Sequence, residues 1–221
     1  MKQISATAMN SPLFAGIEAK DLSAMMKCLD AYVRNYEKGE TIFHIGDPVV
    51  EIGLVLRGRV YLTKEDHNGN SNLVAEVGPS LLFGEELACM GQTRSDVNVI
   101  AAQKTQVLFL DIGRVTTQCS SACLFHQRLI RNLLTVIAAK NHTLNAKMEH
   151  MSKRTTKEKL LSYLSDVAGE NPSQWFEIPF NRQQLADYLS VERSAMSWEL
   201  CKLRDDKVIE FQKNRFRFTD V

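Results

Sequence analysis

The chain has 221 residues, 44% of them apolar and 24% charged, with a formal net charge of +1. These are ordinary values for a soluble globular protein with room for one large domain or two small ones. They exclude a polycation that coats nucleic acid by global charge, and no apolar run approaches membrane-spanning length, so no membrane partner is expected. The N-terminus lacks a basic-then-apolar signal pattern, and a cytoplasmic protein is expected.

Residues 11–29 read as a short helical lead-in. From about residue 31 to 111, short runs rich in Val, Ile, Leu, Phe and Tyr are split by glycines. Residues 41–45, 52–56, 59–63, 73–77, 97–101 and 106–110 read as strands. Lys38-Gly39-Glu40, Gly46-Asp47-Pro48, Arg57-Gly58 and Asn68-Gly69 are turn signals between them. His67-Asn68-Gly69-Asn70 suits a type I′ hairpin turn. Short strands at this spacing predict a closed antiparallel barrel or roll.

One segment breaks the strand pattern. Phe83-Gly84-Glu85-Glu86 leads through a helical turn to Arg94-Ser95. An arginine there can pair bidentately with phosphate, N–H groups at a helix start add to that, and a glutamate can accept a sugar hydroxyl. Pairing of Arg94 with Glu85, Glu86 or Asp96 is the alternative.

Residues 123–151 form a long predicted helix. Ile130, Leu134, Ile137, Asn141, Leu144, Met148 and Met151 step by four and three residues, the spacing of a coiled-coil seam, with Asn141 at an a position. A helix packed on its own roll accounts for the apolar residues but not for the 3.5-residue period. A homodimer through this seam is therefore expected.

Residues 181–203 hold two short amphipathic helices with almost no room between them. Asn181 and Gln184 form a variant capping box for the first, whose Leu185, Ala186 and Leu189 share one face. Ser190-Val191 supplies the turn. The second helix is expected to bury Ala195, Met196, Leu200 and Leu203 and to leave Arg193, Ser194, Ser197 and Trp198 outward. This is the helix-turn-helix arrangement, whose second helix can reach base edges in a major groove. An ordinary helical hairpin inside a core is the alternative.

Asp205-Asp206-Lys207 ends that helix, and residues 208–211 begin an extended run. Residues 213–218 alternate charged or polar with apolar side chains, so Lys213, Arg215 and Arg217 are expected on one strand face, suited to a phosphate backbone. Helix, turn, helix, hairpin is the order of a winged helix. A solvated edge strand guarded by cations is the alternative.

Five cysteines, Cys28, Cys89, Cys119, Cys123 and Cys201, are expected to be buried or inert free thiols. Cys119 and Cys123 lie one helical turn apart, but two soft ligands make a poor metal site. His44, His67, His126, His142 and His150 show no metal-ligand spacing, and no metal is expected.

Roll, glutamate–arginine loop, long helix and winged helix, in this order, resemble the cyclic-AMP receptor protein and FNR family of bacterial transcription regulators. The likeness spans nearly the whole chain and rests on Gly39, Gly46-Asp47, Gly58, Phe83-Gly84-Glu85, Arg94-Ser95 and residues 182–189. It implies an α+β fold: an effector-sensing, cyclic-nucleotide-binding-like β-roll domain (residues 1–122), a dimerisation helix (123–151) and a winged-helix DNA-binding domain (152–221). It implies a dimer on a palindromic double-stranded operator, with RNA polymerase as a further partner, and a hinge near residues 152–156, ahead of a helix over 157–167. The DNA-contacting set is then Arg182, Gln183, Arg193, Ser194, Ser197, Trp198, Lys202, Lys213 and Arg215. The effector-binding set is Gly84, Glu85, Glu86, Arg94, Ser95, Asn141 and Asn145.

The sequence also departs from the family pattern. Asp96 follows Ser95 where nucleotide-binding members have a small apolar residue. A carboxylate beside a phosphate at ~4 Å costs about 1–4 kcal/mol. Asn141-His142-Thr143-Leu144-Asn145 offers one hydroxyl where sensors of cyclic AMP offer adjacent ones, so the effector is expected not to be cyclic AMP, and its identity is open. No cysteine cluster precedes Cys28, which argues against an iron–sulphur sensor. Trp198 stands where the family places a guanine-reading Arg, and Ser190 replaces the turn glycine. Two other classes compete. One is a sensor module acting on a protein partner without reading DNA. The other is an enzyme using Glu85 and Glu86, which lacks any accompanying nucleophile, metal set or phosphate-cradling loop.

Overall fold

A computed structural model describes residues 2–65, 71–91, 94–117 and 124–219. The chain divides into two compact units, residues 1–139 and 140–221. The expected hairpin turn at residues 67–70 and the Cys119/Cys123 pair lie outside the described residues.

The first unit opens with α1 (Lys2–Met9), a 3-10 turn (Pro12–Phe14) and α2 (Ala19–Cys28). The helical lead-in thus starts earlier than expected and is interrupted at Ser11, whose hydroxyl caps the turn by accepting from the Leu13 N–H. The strands are β1 (Tyr32–Tyr36), β2 (Thr41–Phe43), β3 (Glu51–Arg57), β4 (Val60–Glu65), β5 (Ser71–Val77), β6 (Leu82–Phe83), β7 (Asn98–Ala101) and β8 (Thr105–Asp111). A short helix, α3 (Glu85–Met90), separates β6 from β7, and α4 (Ile112–Thr116) follows β8. The strands form two antiparallel four-stranded sheets, β1-β8-β3-β6 and β2-β7-β4-β5.

β3 and β8 are buried on both faces, so their apolar residues run almost without alternation. Val55, Val107 and Phe109 pack inside the roll with Tyr36, Val60, Phe83 and Val99. Ile52, Leu54, Leu56, Leu108 and Leu110 pack outward on Leu13, Phe14, Leu22, Met25 and Leu29, and on Leu129 and Leu133 of α5 (Leu124–Ser152). Two glycines are fixed by close approach. A Cβ on Gly53 would lie 2.2 Å from Phe83 Cζ, and one on Gly58, at φ 81°, would lie 2.5 Å from the Lys104 carbonyl oxygen.

In the second unit, α6 (Thr156–Ala168) begins with a capping box between Thr155 and Glu158. α5 ends at Ser152, so the chain breaks its helix over residues 153–155. β9 (Phe176–Glu177), α7 (Arg182–Leu189), α8 (Arg193–Asp205), β10 (Ile209–Gln212) and β11 (Arg215–Phe218) complete the chain. The sheet order is β10-β11-β9, so the wing has a third strand. One core joins Leu160, Leu164, Ile178, Leu185, Leu189, Met196, Leu200, Leu203, Ile209 and Phe216, all fully buried. Ala195, expected inside, is exposed: it lies in the first turn of α8, and Met196 begins the buried stripe.

Three of the thiols, Cys28, Cys89 and Cys201, are free and exposed rather than buried. Partial burial, with the carboxylates of Glu85 and Glu86 nearby, pushes the Cys89 thiol upward and disfavours its thiolate. No helix of the described residues is long and apolar enough to cross a membrane.

Candidate functional site

The two-helix element is built from its caps. Asn181 Oδ1 accepts from the Gln184 N–H and Gln184 Oε1 from the Asn181 N–H, both at 2.9 Å, which starts α7. Ser190 ends α7 in the left-handed region, at φ 50° and ψ 55°. Lys159 Nζ reaches across from α6 to the Leu189 carbonyl at 3.3 Å, satisfying one of the helix's terminal acceptors. Two residues later Glu192 caps α8. Its carboxylate accepts from the Ala195 N–H at 2.8 Å and from the Ser194 hydroxyl. These hydrogen bonds hold its pKa down at about 2.

α8 turns Met196, Leu200 and Leu203 inward. Arg193, Ser194, Trp198 and Lys202 are exposed and Ser197 is half-exposed. Trp198 is 63% exposed, and the Lys202 ammonium, one turn on, lies over its ring at 5.3 Å. Gln183, exposed on α7, donates to Asp187 at 2.9 Å.

Arg182 is half-buried, with its guanidinium over Phe211 at 4.9 Å and Phe216 at 5.1 Å; burial pulls its pKa below the usual arginine range. It joins the start of α7 to the wing. A cleft of about 500 Å³ beside it is lined by Phe180, Asn181, Arg182, Gln184, Lys213 and Asn214.

The expected row of three wing cations is corrected at one end: Lys213 lies in the β10–β11 turn, at φ 56°, because the hairpin closes through Lys213-Asn214. Arg215 and Arg217 share a face, over the Trp175 ring at 5.6 and 5.2 Å. Arg217 is also paired with Glu210 at 2.8 Å, whereas Arg215 is exposed.

In the first unit, Gly84 starts α3 at φ 75°, a backbone that suits glycine, and a Cβ there would press on Phe43 at 3.3 Å. Glu85 is buried at 1% exposure and Glu86 is exposed. Arg94 Nη1 donates to the Gly46 carbonyl at 2.7 Å, so its guanidinium rests on main chain where the sequence left carboxylate pairing open. Ser95 is buried and donates to the Val97 carbonyl at 2.6 Å. Asp96 is paired with Lys64 at 3.0 Å, both side chains being exposed. The roll interior beside this loop holds the rings of Phe43, Phe83 and Phe109 in mutual edge contact at 5.8–6.4 Å. Asn141 and Asn145 belong to the second unit, where the Asn145 side-chain N–H donates to Asn141 Oδ1 at 2.9 Å.

On α5, Leu129, Leu133 and Val136 pack into the first unit's core. Ile130 and Ile137 are half-buried and Asn141 is exposed. Leu134 is 63% exposed, Leu144 59%, Met148 68% and Met151 36%, so four apolar heptad positions are uncovered, while Ile137 packs against the first unit's core.

Sequence reasoning missed Glu192, because Ser, Thr, Asp and Asn are the usual caps. It also missed Trp175, which stands alone in its loop with no period to mark it.

Two family models match the chain: one described as a cyclic nucleotide-binding domain over residues 33–121, and one described as a Crp-like helix-turn-helix domain over residues 158–221. The chain is 25% identical to the transcriptional activator protein FnrL of Cereibacter sphaeroides, over 83% of this chain and 75% of that protein. It is 24% identical to the global nitrogen regulator of Synechococcus elongatus, over 85% of each chain. Its fold matches the crystal structure of the Thermus thermophilus catabolite activator protein, with a TM-score of 0.54 at 20% identity, over 95% of this chain and 94% of that one. The chain therefore belongs to the cyclic-AMP receptor protein and FNR (Crp/Fnr) family of bacterial transcription regulators.

Proposed function

We propose that this regulator works as a cytoplasmic homodimer that lays α8 of each protomer into successive major grooves of a palindromic operator, under control of a small effector. The observation that carries the reading is the outward face of α8, where Arg193, Ser197, Trp198 and Lys202 stand clear of a fully buried opposite face. Arg193 suits phosphate or guanine. Ser194, Gln183, Lys213 and Arg215 extend the contact set on either side, and Arg182 contributes by holding the wing to α7. The uncovered apolar positions of α5 support pairing of two protomers, which sets half-sites about one helical turn apart. RNA polymerase is the natural further partner of such a complex.

In this reading residues 1–122 sense, 123–151 dimerise and 152–221 bind DNA. Gly84, Glu85, Glu86, Arg94 and Ser95 form the effector loop, with Asn141 and Asn145 contributed by the dimer helix. The effector is something other than cyclic AMP. Support comes from the aromatic rings inside the roll and from Arg94, whose guanidinium is engaged by a main-chain carbonyl.

The test uses cells that make the protein, where any effector is present. DNA crosslinked to the tagged full chain is recovered and sequenced, then bound in vitro at fixed salt by the native chain and by Arg193→Ala. Enrichment of two-fold symmetric sites, bound at least tenfold more weakly by Arg193→Ala, is the expected result. Recovery of no enriched DNA refutes it and favours a protein partner. Micromolar cyclic-AMP binding in calorimetry overturns the effector assignment alone.

A further inference from the structure

The outward face of α8 carries a specificity of its own, and the following rests on the DNA-binding reading above. We infer that Trp198 is a base-reading residue for thymine, so that the operator half-site carries a T·A pair where a guanine-reading arginine would demand G·C.

Trp198 is the sixth residue of α8, in the half of a recognition helix that meets base edges. At 63% exposure it is also the most exposed aromatic side chain among the described residues whose large apolar groups stand in solvent. Nothing in the fold requires it there, since the buried stripe of α8 runs through Met196, Leu200 and Leu203. The ring does not swing freely. Lys202 lies over one face at 5.3 Å, which leaves the other face, the ring edge and the indole N–H to meet a ligand.

The chemistry of that side chain selects among the four bases. Indole offers one N–H donor, no acceptor and a broad apolar surface. In the major groove guanine presents two acceptors, N7 and O6, of which a single donor satisfies one. Cytosine presents an amino donor, which an indole cannot accept. Adenine presents an acceptor beside an amino donor, so half of its edge loses its water without a partner. Thymine alone sets an acceptor, O4, beside an apolar methyl group, matching an N–H beside an apolar ring. The ammonium of Lys202 is then placed to meet a phosphate while shielding the ring's other face.

The guanidinium on this face, Arg193, stands apart from Trp198, so the position that Trp198 meets is read without one. The Ser194 hydroxyl donates to Glu192, so the first turn is partly turned upon itself. Arg193 is left as the exposed guanidinium of the first turn of α8.

The experiment is a selection of duplexes from a random library by the full chain, run in parallel with Trp198→Ala and Trp198→Arg, with affinities of the winners measured at one salt concentration. Trp198 is exposed, so both variants are expected to fold, and circular dichroism melts verify it. The native chain is expected to enrich T·A at one position of each half-site. Trp198→Ala loses that preference and keeps the others, and Trp198→Arg moves the same position to G·C. Replacing that thymine by deoxyuridine removes only the methyl group. It should weaken the native chain roughly fivefold, the lower end of single base-contact discrimination, and leave Trp198→Ala unchanged. A selected site that Trp198→Ala leaves intact, or a deoxyuridine duplex bound as well as the thymine one, overturns the assignment while the DNA-binding reading stands. With the selection run in extract of cells that make the protein, so that any effector is present, a library from which no sequence is enriched by any of the three proteins overturns both.

Discussion

Ser190 sits where the turn between α7 and α8 must pass through the left-handed region, and it is not a glycine. A side chain in that conformation costs about 1–2 kcal/mol through its Cβ. Ser190→Gly removes that cost but adds freedom to the unfolded chain, worth about 0.5–1 kcal/mol against folding. The net expectation is a stabilisation of about 0.5–1 kcal/mol. The turn's hydrogen bonds persist, since the donors at positions 190 and 191 are main-chain N–H groups bonded to Asp187 and Ala186 carbonyls. In a cooperative unit of the size of residues 140–221, 1 kcal/mol corresponds to roughly 4–8 °C, so the melting midpoint of that unit should rise by about 2–8 °C. Far-UV circular dichroism melts and urea titrations of the full chain read it, with Ser190→Val as the opposite control, because a β-branched residue tolerates the left-handed region worst. A midpoint that is unchanged or lowered in Ser190→Gly, or a neutral Ser190→Val, would show that the turn is not built as described.

Three further expectations follow from other parts of the chain. Glu192 has a folded pKa depressed to about 2, below the ordinary value of 4.5, so its capping contribution is complete above pH ~4.5 and is lost as pH falls toward 2; a carboxyl carbon titration by NMR checks it, and a midpoint near 4.5 refutes the cap. Leu144→Asp, at a 59% exposed heptad position, should leave the fold intact and convert a dimer to monomers in sedimentation velocity; a native chain that is already monomeric would sink the seam. Gly53→Ala drives a Cβ to 2.2 Å from the Phe83 ring and should destabilise the roll by about 1–3 kcal/mol in denaturant titrations, whereas Gly78→Ala, with open space around it, meets no such clash.

Much of this architecture was legible because several local signals agreed. Asn181 and Gln184 announced α7, Leu185 and Leu189 set its buried face, and Ser190-Val191 marked the turn. β3 and β8 stood out as unbroken apolar runs because both of their faces are covered. β1 did not: it lies at a sheet edge, and its Arg34 and Asn35 are exposed, so its pattern reads as polar. β6 and β9 are two residues each, too short for any period to show. Within the candidate site, residue types were readable but pairings were not. That Asp96 meets Lys64, 32 positions away, and that Arg182 stacks on Phe211 and Phe216 are consequences of tertiary packing. Ala195 shows the finer limit, since one residue of helical phase separates an exposed first turn from the buried stripe that begins at Met196.

The engagement of Arg182 by two wing rings has a kinetic consequence. Arg204 is likewise committed to Asp205 and Arg217 to Glu210, so part of the positive charge of residues 182–217 is already paired on the protein's own surface. Arg193, Lys202, Lys207, Lys213 and Arg215 are left to displace counterions, giving a salt slope of about −4.5 per protomer from this segment. A protein of this kind holds arbitrary duplex weakly and leaves it fast. Its search of a chromosome then proceeds by many brief visits, and residence lengthens only where base edges, rather than backbone charge, supply the grip.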